Sequence, residues 1–196
     1  MLLPAGGRST RALRVYRICV WRGREVRAPE AALIEPTEEL WPELLAMAEE
    51  YFVFGDPRYK SALEDFPAYL RGLLDGARGI GLSPGRVPYS TFWLTSGRHP
   101  IGRSSVRHYL TPDLEDEGGH VGYDIRPSER LKGYGKLILR LTLAEARKLG
   151  LNRALLTCDA DNVASAKVIE GNGGRLRDQA VSKRSGKLIS RYWIKL

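Results

Sequence analysis

The segment Arg130-Leu-Lys-Gly-Tyr-Gly-Lys136 stands between a run of strand formers, His120–Ile125, and a helical pattern, Lys136–Leu149. Strand, tight turn and helix in that order bring the first turn of a helix to the end of a sheet. The leading N–H groups of a helix lack partners within it and concentrate about half a unit of positive charge. Gly133 and Gly135 open the backbone to close approach, and Arg130, Lys132 and Lys136 add formal charge. Such a turn suits a pyrophosphate. The phosphate-loop pattern GxxxxGK[ST] is absent, and the dinucleotide pattern GxGxxG fails because Ile138 takes its third glycine position.

Outward from the turn, periodicity sets the element order. Ala31–Glu35 is a strand. Thr37 caps a helix carrying Leu40, Leu44, Ala48 and Tyr51, and Gly55-Asp-Pro57 stops it. Leu63, Phe66, Leu70 and Leu73 mark a second helix, offset near Pro67, and Gly72, Gly76, Gly79, Gly81 and Gly85 read as a loop. Tyr89–Thr95 and Ile101–Leu110 form a hairpin about Ser96-Gly97-Arg98. Asp113–Gly119 is an acidic loop. After the long helix, which Gly150 ends, Ala154–Cys158 is a buried strand and Asn162 caps a helix over 163–170. Leu176–Lys183 and Leu188–Leu196 close the chain as a hairpin. The order predicts an α/β fold, a single mixed sheet with helices on both faces.

Charge narrows the function classes. The formal net charge is +8, but residues 1–27 alone hold seven Arg against one acid, Glu25. The basicity belongs to an N-terminal extension, residues 1–28, and residues 29–196 form the domain. A nucleic-acid face across the domain is therefore not expected, although the Arg-rich extension leaves a nucleic-acid binder as one rival. No apolar run approaches the ~20 residues needed to span a bilayer, and Cys19 and Cys158 offer no disulfide framework. A cytoplasmic protein fits. His99, His108 and His120 lack metal spacing, so no metal is expected.

The turn and its surroundings resemble the GNAT superfamily of N-acetyltransferases. The likeness rests on R-x-x-G-x-G at 130–135, on Ile125-Arg-Pro-Ser-Glu-Arg130 before it, and on Asp161-Asn162 opening the helix after the buried strand. Within that superfamily the chain is similar to poorly characterised bacterial-type members with Gly-His-Val-Gly-Tyr before the motif. The resemblance implies acetyl-CoA as acetyl donor and a primary amine, on a small molecule, amino acid or protein, as acceptor. It implies that the backbone of Tyr123, Asp124 and Ile125 pairs with the pantetheine arm. It places the pyrophosphate on Arg130, Leu131, Lys132, Gly133, Tyr134, Gly135 and Lys136, and brings Asn162, Ser165 and Lys167 to the cofactor. A homodimer is one option for assembly.

Catalytic groups follow less directly. Many members of the superfamily carry a Tyr general acid seven residues after the Asn, where this chain has Ile169, so Tyr192 is the substitute candidate. His120, whose ordinary pKa of about 6.5 suits proton removal near neutrality, is the first candidate base, and Asp124, on the same strand face, the second. His120 and Arg107 are candidates for acceptor binding, Arg107 through a substrate carboxylate. Ile169 also keeps open a non-catalytic acyl-CoA sensor on the same fold.

Overall fold

A computed structural model describes residues 31–196; the basic extension expected over residues 1–28 lies outside them. Strands β1 (Ala31–Ile34), β2 (Tyr89–Ser96), β3 (His99–Arg107) and β4 (Val121–Ile125) form an antiparallel sheet in that order. Strands β5 (Arg153–Asp159), β6 (Arg175–Val181) and β7 (Leu188–Lys195) form a second antiparallel sheet, with β7 between the other two. The expected α/β class holds, and the sheet is divided into two blades. His120, the residue before β4, donates its N–H to the Leu155 carbonyl at 2.7 Å. Among the described residues, no continuous ladder joins β4 to β5 beyond that point.

The faces of the first sheet are sorted by the two-residue period of a strand. Phe92, Leu94, Ile101, Val106 and Val121 lie on one face and pack on helix α5 (Tyr134–Lys148). Two rows of α5 are buried. Leu137, Ile138 and Leu141 meet the first sheet, while Leu139, Leu143 and Ala146 join a cluster that includes Leu156 and Ile194 of the second. One helix thus fills the angle between the blades, its amphipathicity exceeding the single stripe of a surface helix. Thr142 within it is fully buried and donates to the Ile138 carbonyl or to Ser104 Oγ, so its hydroxyl is not orphaned.

The opposite face carries Trp93 and is covered by α1 (Trp41–Val53), α2 (Lys60–Glu64) and α3 (Phe66–Arg78). Thr37 caps the 3₁₀ turn leading into α1, and Asp65, accepting from the Ala68 N–H at 2.9 Å, starts α3 with Pro67 in its first turn. The offset near Pro67 is therefore a break between two helices. Gly72 and Gly76, expected in a loop, lie inside α3. A Cβ on Gly76 would stand 2.6 Å from the Tyr89 ring, so the glycine serves helix–sheet approach. The acidic loop contains a short helix, α4 (Pro112–Asp116), capped by Thr111. Helix α6 (Val163–Glu170) follows β5 as expected.

Candidate active site

Where the blades diverge, a cleft of about 220 Å³ opens, walled by Tyr123 of β4, Cys158 of β5, and Ser165 and Ile169 of α6. The turn Arg130–Gly133 lies at the start of α5, which fills the angle behind this cleft. Leu131 and Gly133 both have left-handed backbone, at φ 62° and 87°. Leu131, a residue for which that conformation is strained, is fully exposed. Among the described residues, no backbone N–H from Leu131 to Lys136 finds a backbone acceptor; the first such bond joins the Leu137 N–H to the Gly133 carbonyl. An alternating left-handed turn that runs into a helix start gathers N–H groups into an anion-binding concavity.

The cations around this turn have separate positions. Arg130 donates Nε to the Ile125 carbonyl at 3.1 Å, and its guanidinium stands over the Tyr51 ring. Lys132 pairs with Glu129 at 3.1 Å. The end of Lys136 lies against Gly171, at the C-terminal end of α6, where a cation is favoured by the helix dipole. Gly135 lets α5 and α6 approach, since a Cβ there would sit 3.1 Å from Val168. Tyr134 is partly buried beside the core under α5. Asn162 accepts from the Ser165 N–H at 3.0 Å and so caps α6, while Lys167 is exposed in its last turn. Glu50 of α1 anchors the lead-in to the turn. It accepts from Arg126 Nε, from the Ser128 N–H at 2.6 Å and from the Ser128 hydroxyl.

The candidate base and acids have distinct surroundings. His120 is buried, and its Nδ1 accepts the Leu155 N–H at 2.9 Å. Burial, together with Arg107 and Arg153 nearby, holds its pKa below the ordinary value in spite of Glu115. A neutral imidazole whose Nδ1 accepts carries its proton on Nε2. It has no free lone pair for another proton unless it releases Leu155. Arg107 Nη1 donates to the carbonyls of Gly118 and Gly119 at 2.9 and 2.8 Å, which fixes the chain before β4. Tyr192, opposite Leu156 on β7, is buried, its pKa raised by burial and by Cys158 and Glu170 beside it. Tyr123 is expected from the sequence to act through its backbone. Its hydroxyl is buried without a hydrogen-bond partner of normal geometry, next to Ser165 and Cys158, and burial pushes its pKa up to about 12.

A second group of residues goes beyond the sequence reading. Asp124 faces α1 and the 3₁₀ turn Pro57–Tyr59 before α2, and one of its oxygens accepts from both the Tyr51 and the Tyr59 hydroxyls at 2.7 Å. The other lies 3.4 Å from Arg58. Both tyrosines are fully buried, and burial with the adjacent carboxylate raises their pKa values, so they stay protonated as donors. Arg58 is held by Asp56 in turn. Arg103, the cross-strand partner of Asp124, lies on the same face. Periodicity marks Tyr51 only as a core position of a helix. The alternation Arg103, Ser105, Arg107 along β3 is the signal available for a polar sheet face.

Comparison at the level of families matches residues 33–175 to an acetyltransferase (GNAT) domain. The chain belongs to the GNAT acetyltransferase family. Solved structures agree on the fold. A Salmonella typhimurium acetyl transferase that modifies the N-terminal serine of the ribosomal protein L7/L12 superposes with a TM-score of 0.62 at 16% identity, over 85% of this chain and 95% of that one. Mycobacterium smegmatis RimJ, in complex with a CoA disulfide, gives 0.64 at 15% identity, over 85% and 82%. The microcin C7 self-immunity acetyltransferase MccE, in complex with acetyl-CoA and AMP, gives 0.61 at 12% identity, over 86% and 94%. No curated protein sequence is similar enough to count as a match. The GNAT assignment makes this chain an acyltransferase. Among its described residues, no helix is long and apolar enough to cross a membrane.

Proposed function

We propose that this GNAT protein transfers the acetyl group of acetyl-CoA to a primary amine by direct attack. The supporting observation is the run of unpartnered N–H groups from Leu131 to Lys136 at the start of α5, the helix packed against both blades. Those donors suit the pyrophosphate, and the divided sheet leaves the β4 edge from Tyr123 to Ile125 without a strand partner, to pair with the pantetheine arm once Arg130 releases the Ile125 carbonyl. Acetyl-CoA supplies an activated thioester carbon. In the transfer a C–N bond forms, the C–S bond breaks, and the attacking nitrogen gives up a proton.

The chain's own groups divide those steps. Asp124 attracts the acceptor's ammonium and takes its proton through water, its carboxylate oriented by Tyr51 and Tyr59. The β4 backbone offers an N–H to the developing oxyanion. The Tyr123 hydroxyl, protonated at neutral pH and without another partner, donates to the leaving thiolate. Tyr192 stands behind the Cys158 wall and supports it. We assign His120 and Arg107 to holding the blades and the loop before β4. The catalytic unit is residues 29–196, and the basic extension is dispensable for turnover. Free Cys158 fits the reducing cytoplasm.

Thiol release from acetyl-CoA, measured against a panel of primary amines, tests this function. Amine-dependent release should fall about 10²-fold or more in Asp124→Asn, with CoA affinity by calorimetry unchanged. CoA binding without amine-dependent release from any acceptor would instead identify a sensor, the reading that Ile169 in the cleft favours. Failure to bind CoA would remove both.

A further inference from the structure

The face of the first sheet beneath α1–α3 carries an unusual set of buried polar groups. Four buried side-chain polar atoms lack a hydrogen-bond partner among the described residues: Tyr69 Oη, Thr91 Oγ1, Trp93 Nε1 and Tyr123 Oη. Tyr123 belongs to the cleft. The other three surround Arg103. Trp93 is its cross-strand partner on β2, and Thr91 is two residues along that strand on the same face. Tyr69 of α3 packs in the Trp93 cluster, its hydroxyl beside the Arg103 guanidinium without a hydrogen bond of normal geometry. Arg103 itself makes no ion pair within 4.0 Å among the described residues. Burial opposes its charge, and the oxygens of Tyr69, Tyr59 and Asp124 outweigh that, so it stays protonated.

Native interiors rarely leave such groups unmet, because each orphaned donor forfeits its hydration. Those gathered here are mostly donors. An indole N–H and a guanidinium donate only, and a hydroxyl can donate. Asp124 is the nearby carboxylate, and it is already engaged by two tyrosines and faces Arg58. What the group lacks is an anionic acceptor.

We propose that Arg103 anchors a carboxylate carried by the acceptor within a few bonds of its amine, with Trp93, Tyr69 and Thr91 completing the anion site. This rests on the acetyl-transfer function above and names its substrate class. The spacing follows from the register. Arg103 and Asp124 are directly opposed on adjacent strands, where side chains on one face are about 5 Å apart at Cβ. An amine at Asp124 then places its own carboxylate at Arg103 when only a few bonds join them. Free amino acids carry this pair of groups, and so does a peptide whose first residue is Asp or Glu.

The test compares acids with their amides. Amino acids of graded amine-to-carboxylate spacing, peptides beginning with Asp or Glu, and the neutral amide of each are offered with acetyl-CoA. Wild-type kcat/KM should favour the acid over its amide by about tenfold or more, the worth of a charge-assisted hydrogen bond. Arg103→Gln should bring that ratio to about one with the acetyl-CoA KM unchanged, and Arg103→Lys should restore part of it. Which arm, free amino acid or peptide, carries the preference identifies the source of the carboxylate. Should Arg103→Gln fail to fold, Tyr69→Phe serves. Removing an orphaned hydroxyl should leave Tm equal or higher while weakening the preferred acid several-fold. Calorimetry with the N-acetylated acids and the CoA-loaded protein reads the site without turnover. If those acids bind and their amides do not, the anion site stands even where no amine is acetylated, and acetyl transfer alone fails. Acids and amides used or bound alike, or an acid preference that survives Arg103→Gln, would overturn the proposal.

Discussion

At the residue scale, His120 illustrates how burial redirects a side chain that sequence position marks for catalysis. Its Nδ1 takes the Leu155 N–H, and its own N–H reaches the Leu155 carbonyl, so one residue closes both ends of the link between the blades. His120→Ala leaves the buried Leu155 N–H without an acceptor, at about 1–3 kcal/mol. Its folded pKa lies below the ordinary value. Below about pH 6.5 the unfolded state therefore binds more protons than the folded one. Stability from this group is complete above that pH and is lost as pH falls towards the folded pKa. Thermal melts from pH 5 to 8 should show a slope in the wild type that shrinks in His120→Ala. His108, also depressed by burial, contributes to that slope and is removed by His108→Gln as a control. A His120→Ala protein as stable as wild type, with kcat/KM reduced about 10²-fold and its acid limb gone, would restore the imidazole as base.

At the element scale, the two glycines of the turn have different roles although the motif pairs them. Gly133 needs its left-handed φ of 87°, and a Cβ there meets nothing within 4 Å. Gly135 has no such φ, and its close neighbour is Val168 of α6. Gly133→Ala should therefore cost about 1 kcal/mol by conformation alone. Gly135→Val should overfill the α5–α6 contact at about 1–3 kcal/mol. Urea denaturation checks both. Equal stability of Gly135→Val and wild type would return that glycine to the cofactor alone. Helix and strand identities were legible wherever one period ran long enough, as in α5 and the hairpin of β2 and β3. Short signals were harder. Gly72 and Gly76 read as loop from the sequence; the reason for Gly76, the Tyr89 ring of β2, is a tertiary contact, and a Cβ on Gly72 would meet nothing within 4 Å. Helix α4 was hidden by its acidic residues, although Thr111 and Pro112 form an ordinary start.

At the scale of the whole molecule, the turn proposed for the pyrophosphate was legible because its chemistry is local: glycines, cations and a helix start within seven residues. Of the residues proposed for the acceptor side, only Asp124 was legible in that role, from its place on the strand. Tyr51, Tyr59, Tyr69, Arg103 and Asp124 are scattered along the chain and meet only when α1–α3 close over the sheet. Arg107 stood out as the substrate cation for its position on β3, and its engagement with Gly118 and Gly119 depends on a loop path that periodicity does not give. The same loop sets how the blades meet. Gly119 is buried at φ 61°, and a Cβ there would lie 2.4 Å from the Leu155 carbonyl oxygen and 2.9 Å from its carbon. Neither atom belongs to a flexible side chain, so backbone must move. Gly119→Ala adds the left-handed penalty of a non-glycine residue, about 1–2 kcal/mol, to an overpacking cost of about 1–3 kcal/mol. It should destabilise the protein more than Gly133→Ala does, although both place alanine at positive φ. Because the displaced contact adjoins Gly118 and Leu156, which line the cleft, CoA affinity should fall with it, by about tenfold or more, even at temperatures where the variant remains folded. Calorimetry of CoA binding well below the variant's Tm separates the two effects. Wild-type affinity in a destabilised Gly119→Ala protein would mean that the cleft is held by α5 and α6 alone, independently of the junction at His120 and Leu155.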